Sequence, residues 1–126
     1  MRKLKIKNTA KTPEILFNPN GKLEISGVSV PENSMGFYGG VIDWVKEYVE
    51  SPADETLLVF KLAYINTSSL QFVYDILSLL SAVNKTASTV SVEWYYEEDD
   101  VDMKETGEDY DETISLPFTF IGVSEV

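Results

Sequence analysis

The stretch TLLVFKLAYINTSSL, residues 56–70, decides the fold, because an apolar segment leads directly into residues that begin helices. Residues 56–64 are almost continuously apolar, which is typical of a central strand that is buried on both faces. Asn66 and the three hydroxyl residues after it are of the types that cap helix starts. The apolar positions beyond them recur at helical spacing and predict a helix that begins at Thr67. These positions are Leu70, Val73, Tyr74, Ile76, Leu77, Leu80 and Val83.

A further strand follows this helix and completes a strand–helix–strand unit. Residues 90–96 alternate apolar and polar side chains, which is the period of a strand with one buried face. Two strands joined through a helix in this way favour parallel pairing with a right-handed crossover. The unit therefore predicts a sheet that is covered by helices on at least one face.

The N-terminal part of the chain predicts three short strands and a first helix. Residues 3–7 alternate lysine with leucine and isoleucine, as an edge strand does. Residues 14–17 and 22–26 flank the turn formers of residues 18–21, which predicts a hairpin. Capping residues at 31–34 precede apolar side chains at helical spacing, which predicts the helix.

Two glycines, Gly39 and Gly40, fall within that first helix. Each glycine disfavours a helix by about 1 kcal/mol relative to alanine. The pair therefore predicts either that the helix starts late or that something packs close to its backbone.

The segment of residues 97–112 contains ten acidic residues and one lysine, so most of the net charge of −11 lies there. Gly107 weakens any helix in this segment, and we expect a solvated loop or a short helix. The functional alternative is an electrostatic docking surface for a basic partner. A calcium loop that starts at Asp102 is excluded, because Lys104 stands at an oxygen-ligand position and Thr113 stands where the loop needs a bidentate glutamate.

A last strand, residues 114–123, completes the pattern, and Pro117 places it at an edge or bulge. The whole chain, residues 1–126, thus predicts a single α/β (α+β) domain with a mixed β-sheet of about five to six strands. Two main helices accompany the sheet, and the acidic segment leaves room for a short third.

The composition excludes several kinds of chemistry. The 126 residues include no cysteine and no histidine, so disulfides, thiolate chemistry and histidine-ligated metals are ruled out. The strongly negative charge argues against nucleic-acid binding. The N-terminus lacks the apolar run of a signal peptide, and the chain has no run of about 18 apolar residues. We expect a cytoplasmic protein that uses no membrane anchor and no cofactor.

The hydroxyl residues after Asn66 form the strongest candidate site in the sequence. A helix start presents free backbone N–H groups and the positive end of the helix dipole, so a phosphate added there is stabilised. Such a phosphate could block a docking surface without unfolding the domain. The alternative is that Thr67, Ser68 and Ser69 only cap the helix.

Six short segments carry a resemblance to a known family. They are Thr12-Pro13-Glu14-Ile15, Gly21-Lys22-Leu23-Glu24-Ile25-Ser26-Gly27, Val30-Pro31-Glu32-Asn33-Ser34, Val41-Ile42-Asp43-Trp44-Val45, Tyr64-Ile65-Asn66-Thr67-Ser68-Ser69 and Asp75-Ile76-Leu77. On these segments the chain resembles the SiaC-type bacterial regulatory phosphoproteins over nearly its whole length. The resemblance implies a fold similar to that of anti-sigma-factor antagonists, which is a STAS-like fold.

The resemblance also implies a function. It implies a regulatory protein that is not an enzyme and is phosphorylated on Thr67, with Ser68 as the alternative acceptor. The implied partner-binding residues are Asn66, Thr67, Ser68, Ser69, Glu32 and Asn33. A SiaB-type protein kinase would add the phosphate, and a PP2C-type phosphatase would remove it. The unphosphorylated form would bind an output enzyme such as a diguanylate cyclase, and so control cyclic-di-GMP signalling and biofilm formation.

Two other functions stay open on the sequence. One is an acidic interaction module that is never modified, and the other is a small enzyme that uses Thr67 or an aspartate as nucleophile. Glu32, Asp43 and Asp75 could supply paired carboxylates for acid–base catalysis, but no motif pairs them.

Overall fold

The computed structural model describes all of residues 1–126 and contains six strands and three helices. In chain order these elements are β1 (Leu4–Ile6), β2 (Glu14–Phe17), β3 (Lys22–Ser29), α1 (Ser34–Tyr48), β4 (Glu55–Ile65), α2 (Thr67–Ser81), β5 (Thr89–Glu97), α3 (Val101–Thr113) and β6 (Phe118–Val123). The strands form one sheet in sequence order. β1, β2 and β3 are antiparallel neighbours, whereas β3, β4, β5 and β6 pair in parallel. The predicted mixed α/β fold is confirmed.

Most of the predicted elements are present at the expected positions. β2 and β3 form the hairpin, α2 begins at Thr67, and β4 pairs with β5 in parallel. β1 and β6 lie at the two edges of the sheet, as their sequences indicated. β6 begins at Phe118 and not at residue 114, because Ile114 and Leu116 are instead buried in the connection after α3.

One face of the sheet carries the core. Ile15, Ile25, Phe60 and Trp94 are register partners across β2 to β5, so their side chains point to the same face. All four are fully buried in a cluster of 23 residues that also includes side chains of α1, α2 and α3. The three helices therefore cover the same face of the sheet, and removal of this apolar layer from water is the main force that holds the fold.

The opposite face of the sheet carries no helix, so the prediction that the central strand is buried on both faces is wrong. On this face of β4, Val59 is buried, but Leu57 and Lys61 are partly exposed. The physical reason lies in the strand order. Parallel strands that follow one another in sequence, joined by crossovers of one hand, place all their helices on one face.

Neither of the two explanations expected for Gly39 and Gly40 is correct. α1 begins at Ser34, ahead of both glycines, and a Cβ at either glycine would have no atom within 4 Å. The helix forms despite them because its opposite side is buried in the core through Tyr38, Val41, Trp44, Val45 and Tyr48. Tertiary burial of such a stripe outweighs the helix propensity of single residues.

The acidic segment forms a regular helix, so the third helix that the sequence allowed is confirmed, at a greater length than expected, and the alternative of a solvated loop is wrong. α3 spans 13 residues, and the carboxylate of Asp100 caps it by accepting a hydrogen bond from the Met103 N–H at 3.0 Å. Met103, Gly107 and Tyr110 follow one another at helical spacing and are buried. These three positions define an inner side, and most of the acidic side chains lie on the remaining exposed surface.

Gly107 is what allows α3 to approach the sheet. A Cβ at this position would lie 2.6 Å from Cδ1 of Trp94 and 2.8 Å from Cε1 of Phe120. The Trp94 indole also donates a hydrogen bond from Nε1 to the carbonyl of Met103 at 3.0 Å. The glycine therefore supports the helix through packing, and does not interrupt it.

Replacing Gly107 by alanine should destabilise the protein by about 1–3 kcal/mol, because the added methyl group overpacks the contact with Trp94. Gly40→Ala is the matched control, and it should stabilise the protein by about 0.5–1 kcal/mol, because that site is open and helical. Urea unfolding followed by tryptophan fluorescence measures both free energies. A stabilising Gly107→Ala would contradict the close packing of α3.

Candidate functional site

The N-termini of α1 and α2 lie side by side at the end of the sheet where the central strands β3 and β4 finish. β3 and β4 are parallel, so the residues that follow their carboxyl ends meet at that end. The backbone N–H of Asn66 donates to the carbonyl of Ser29 at 2.8 Å. The hydroxyls of Ser34, the first residue of α1, and of Ser68, the second residue of α2, are 2.5 Å apart. These contacts bring the two helix starts together, with Ser68 against Ser34, whereas the predicted Glu32 and Asn33 lie just before α1 and contact Lys11 and Gly36 instead.

Asparagine side chains cap both helices. At the start of α1, Asn33 Oδ1 accepts a hydrogen bond from the Gly36 N–H at 3.0 Å. At the start of α2, Asn66 Oδ1 accepts from the Ser69 N–H at 3.1 Å, from Ser69 Oγ at 2.5 Å and from Ser68 Oγ at 3.3 Å. The capping side chain of α2 is therefore Asn66.

A chain of buried hydroxyls links Asn66 to α1. Ser29 Oγ donates to Ser69 Oγ at 2.9 Å, and Ser69 Oγ donates to Asn66. Because the single hydroxyl hydrogen of Ser29 is used in this way, the Tyr38 hydroxyl, 2.6 Å away, donates to Ser29. Burial raises the pKa of Tyr38, and hydrogen bonds with Ser29 and Ser69 partly offset this effect. The phenol therefore keeps its proton, and the chain of hydrogen bonds fixes β3, α1 and α2 relative to one another.

The three hydroxyl residues that open α2 have different environments. Ser69 is fully buried and donates to Asn66. Ser68 is exposed, but its hydroxyl contacts Ser34 and also reaches Asn66. Thr67 is exposed, takes no part in these hydrogen bonds, and occupies the first helical position, where backbone N–H groups have no acceptor within the helix. Thr67 is thus the freely accessible hydroxyl of the three.

α3 is fixed to the first turns of α2. The Tyr110 hydroxyl donates a hydrogen bond to the carbonyl of Leu70 at 2.6 Å. Burial, with a smaller effect of Tyr38, raises the pKa of Tyr110, so this phenol also stays protonated and keeps donating. This hydrogen bond therefore connects the acidic helix to the first turn of α2.

Glu32 contributes a surface ion pair near the start of α1. Its carboxylate is 2.5 Å from Lys11 Nζ, and the hydrogen bond and charge of Lys11 lower the pKa of Glu32. Both side chains are mostly exposed, so water screens the pair. Asp75 accepts a hydrogen bond from Gln71 at 2.9 Å, and no hydrogen bond joins Glu32, Asp43 and Asp75 to one another.

Three large apolar side chains are exposed around the helix starts: Met35 (73%), Tyr64 (58%) and Tyr74 (39%). Met35 is in the first turn of α1, whereas Tyr64 lies three residues before Thr67. Tyr74 lies two turns after Thr67 on the same side of α2. The periodicity of the sequence predicted buried positions for both tyrosines, so their exposure could not be predicted from it. Tyrosine and methionine side chains are enriched in protein–protein interfaces.

The structure contains neither a metal-binding group nor a membrane-spanning helix. No three or more aspartate and glutamate side chains are grouped so that they could hold a metal ion. None of the three helices is long and apolar enough to cross a membrane.

This chain is similar in sequence to a known family of regulatory proteins. Residues 6–123 match the family model of the SiaC family regulatory phosphoproteins. An uncharacterized protein of Pseudomonas aeruginosa (strain UCBPP-PA14) is 36% identical over 119 residues, which cover 94% of each chain. The chain therefore belongs to the SiaC family, and the resemblance inferred from its motifs is confirmed.

Solved structures agree with this assignment. Apo-SiaC from Pseudomonas aeruginosa superposes with a TM-score of 0.88 at 36% identity, covering 96% of this chain and 99% of that one. SiaC in a complex with the diguanylate cyclase SiaD, which it activates, superposes with a TM-score of 0.85 at 34% identity, covering 95% of this chain and 99% of that one.

Replacing Asn66 by alanine should lower the free energy of unfolding by about 2–3 kcal/mol, because it removes the cap and leaves the buried Ser69 hydroxyl with only the longer contact to the Ser29 carbonyl at 3.4 Å. Asn33→Ala is the matched control and should cost about 1 kcal/mol, because only one exposed capping bond is lost. Urea denaturation compares the two variants. A smaller effect at Asn66 than at Asn33 would contradict the central position of Asn66 in the hydroxyl network.

Proposed function

We propose that this chain is a binding protein that is switched by phosphorylation of Thr67, and that its unphosphorylated form docks on an output enzyme. The observation that supports this most directly is the contrast among the three hydroxyls that open α2. Ser69 is buried and Ser68 is held by Ser34, whereas Thr67 is exposed and has no hydrogen-bond partner. A kinase can reach the Thr67 hydroxyl without breaking the cap of the helix.

The physical effect of the phosphate follows from its position. A phosphothreonine carries a charge of about −1.5 to −2 at neutral pH. At the first position of a helix this charge faces unpaired N–H groups and the positive end of the dipole, so α2 stays folded. The first turn of α2 has no acidic side chain that would repel it. The modification therefore changes the surface and leaves the scaffold intact.

The docking surface in this proposal consists of the exposed side chains beside Thr67, which are Tyr74 on α2 and Met35 at the start of α1, together with Asn66, Ser68, Glu32 and Asn33. Ser69, the remaining predicted partner-binding residue, is fully buried and supports this surface from within. An uncharged threonine can be buried in such a contact at little cost. A dianion would have to lose its hydration there, and this is strongly unfavourable without a cationic partner. Phosphorylation would thereby release the bound enzyme.

The partner that we propose is a diguanylate cyclase, by analogy with the complex of the Pseudomonas protein. A SiaB-type kinase would add the phosphate to Thr67, with Ser68 as the alternative acceptor, and a PP2C-type phosphatase would remove it. The circuit would operate in the cytoplasm and control cyclic-di-GMP and biofilm formation. The alternative of a small enzyme receives no support from the surroundings of Thr67, where no side chain accepts its proton.

Incubation with ATP and a SiaB-type kinase from the same organism should place one phosphate on Thr67, which tandem mass spectrometry of the digested protein can locate. Thr67→Ala should abolish the modification, while Ser68→Ala should retain it, because Ser68 is engaged with Ser34. Phosphate confined to Ser68 or to a distant residue would contradict the proposed site.

Thr67→Glu should weaken binding to the diguanylate cyclase of the same organism by at least about tenfold, because it brings a charge into the docking surface. Thr67→Ala should bind with nearly unchanged affinity, and it serves as the matched control for loss of the hydroxyl. Isothermal titration calorimetry measures both dissociation constants. Equal affinities of the two variants would refute release by charge.

A further inference from the structure

A second surface lies on the helix-free face of the sheet, away from Thr67. A groove of about 410 Å³ lies across strands β1, β2 and β3, next to the hairpin turn between β2 and β3. Its polar lining comes from three lysines, two asparagines and one glutamate, which are Lys3, Lys5, Lys22, Asn18, Asn20 and Glu24. The groove brings together three of the ten basic residues in a chain that has 21 acidic ones.

The three lysines of the groove have no carboxylate partner. The ion pairs of the molecule are Lys11 with Glu32 and Lys61 with Glu24. Glu24 is the one acidic residue that lines the groove, and it lies 3.6 Å from Lys61, which is outside the groove. Three cations therefore share one concave surface with a single carboxylate, which another lysine already neutralises in part.

The two asparagines add hydrogen-bond donors to the groove. Asn18 Oδ1 accepts from the Asn20 N–H at 2.9 Å, and Asn20 Oδ1 accepts from the Lys22 N–H at 3.1 Å. Their oxygens are thus used within the hairpin turn, whereas their Nδ2 groups make no hydrogen bond. An amide whose oxygen is engaged presents two free N–H donors. Apart from Glu24, the polar side chains of the groove therefore offer mainly donors.

Strand geometry sets the size of the anion that would fit. Lys5 lies in β1 and Lys3 directly precedes this strand. In extended backbone, two residues separate their Cα atoms by about 7 Å. Asn18 hydrogen-bonds to Lys22 across the hairpin, and Phe17 of the same strand is the register partner of Leu4. Lys3 and Lys22 therefore lie about two strand spacings, or about 10 Å, apart. Flexible lysine side chains can close on one compact ligand over such distances.

The acidic helix does not cancel the potential of this groove. β1 and β6 are at opposite edges of the six-stranded sheet, which separates them by roughly 24 Å. α3 packs against β4, β5 and β6. At physiological ionic strength the screening length is about 8 Å, so the charges of α3 act only weakly on the groove.

We propose that this groove is a binding site for a small polyanion that carries at least two adjacent phosphate groups. Two linked phosphates offer enough negative oxygens for the three lysines and the asparagine amides at once. No exposed aromatic ring lines the groove, because Phe17 is buried in the core, so the site recognises the phosphates and offers no stacking surface for a nucleobase. The site is independent of the proposed switch at Thr67.

Isothermal titration calorimetry with inorganic pyrophosphate in magnesium-free buffer tests this site. We expect saturable binding of one pyrophosphate per chain, which weakens when NaCl is raised to about 0.5 M. Lys5→Gln and Lys22→Gln should each raise the dissociation constant about three- to tenfold. Lys46→Gln, which removes an exposed lysine from α1 on the other face, should leave the dissociation constant unchanged.

Three results would overturn the proposal. They are the absence of saturable binding, equal losses in the Lys22→Gln and Lys46→Gln variants, and tighter lysine-dependent binding of a hexaglutamate peptide than of pyrophosphate. The last result would identify the groove as a docking site for an acidic protein segment. Circular dichroism of each variant confirms that it is folded, so that a loss of binding reports on the groove.

Discussion

The carboxamide oxygen of Asn66 accepts hydrogen bonds from the backbone of Ser69 and from the hydroxyls of Ser68 and Ser69. Through Ser69 it is connected to Ser29 on β3 and to Tyr38 on α1. A single acceptor therefore holds the start of α2, the end of a central strand and the neighbouring helix in one arrangement. Because these groups are mostly buried, leaving any of them unpaired would be costly, and the arrangement is well defined.

This constraint separates the scaffold of the site from its accessible surface. The hydroxyls that hold the helix start are Ser29, Ser34, Ser68 and Ser69, and each is engaged in the network. Thr67 stands on the same helix start and contributes nothing to its cohesion. A residue of this kind can change its charge while the backbone around it stays in place. The proposed switch depends on that independence, since a modification that disturbed the network would destabilise the start of α2 as well as alter its surface.

The sequence predicted the central elements because their signals are local. The apolar run before Asn66 and the capping residues after Ile65 define β4 and α2 without reference to any other part of the chain. The course of α3 could not be predicted in this way, because its composition is dominated by exposed acids. Its helical state depends on three inward positions, and the role of Gly107 depends on Trp94, which only the folded chain brings near.

The candidate site shows the same division between local and tertiary information. The motif around Thr67 could be identified from capping chemistry and family resemblance, and so could the residues that begin α1. The participation of Ser29 could not, because the predicted strand ended at residue 26 and β3 continues to Ser29. The strand order also determines how charge is distributed over the protein. Lysines lie at the β1 edge of the sheet, and the carboxylates of α3 lie near the β6 edge. The folded protein therefore separates positive from negative charge across the sheet, and such a separation orients a protein in the field of a charged partner before contact.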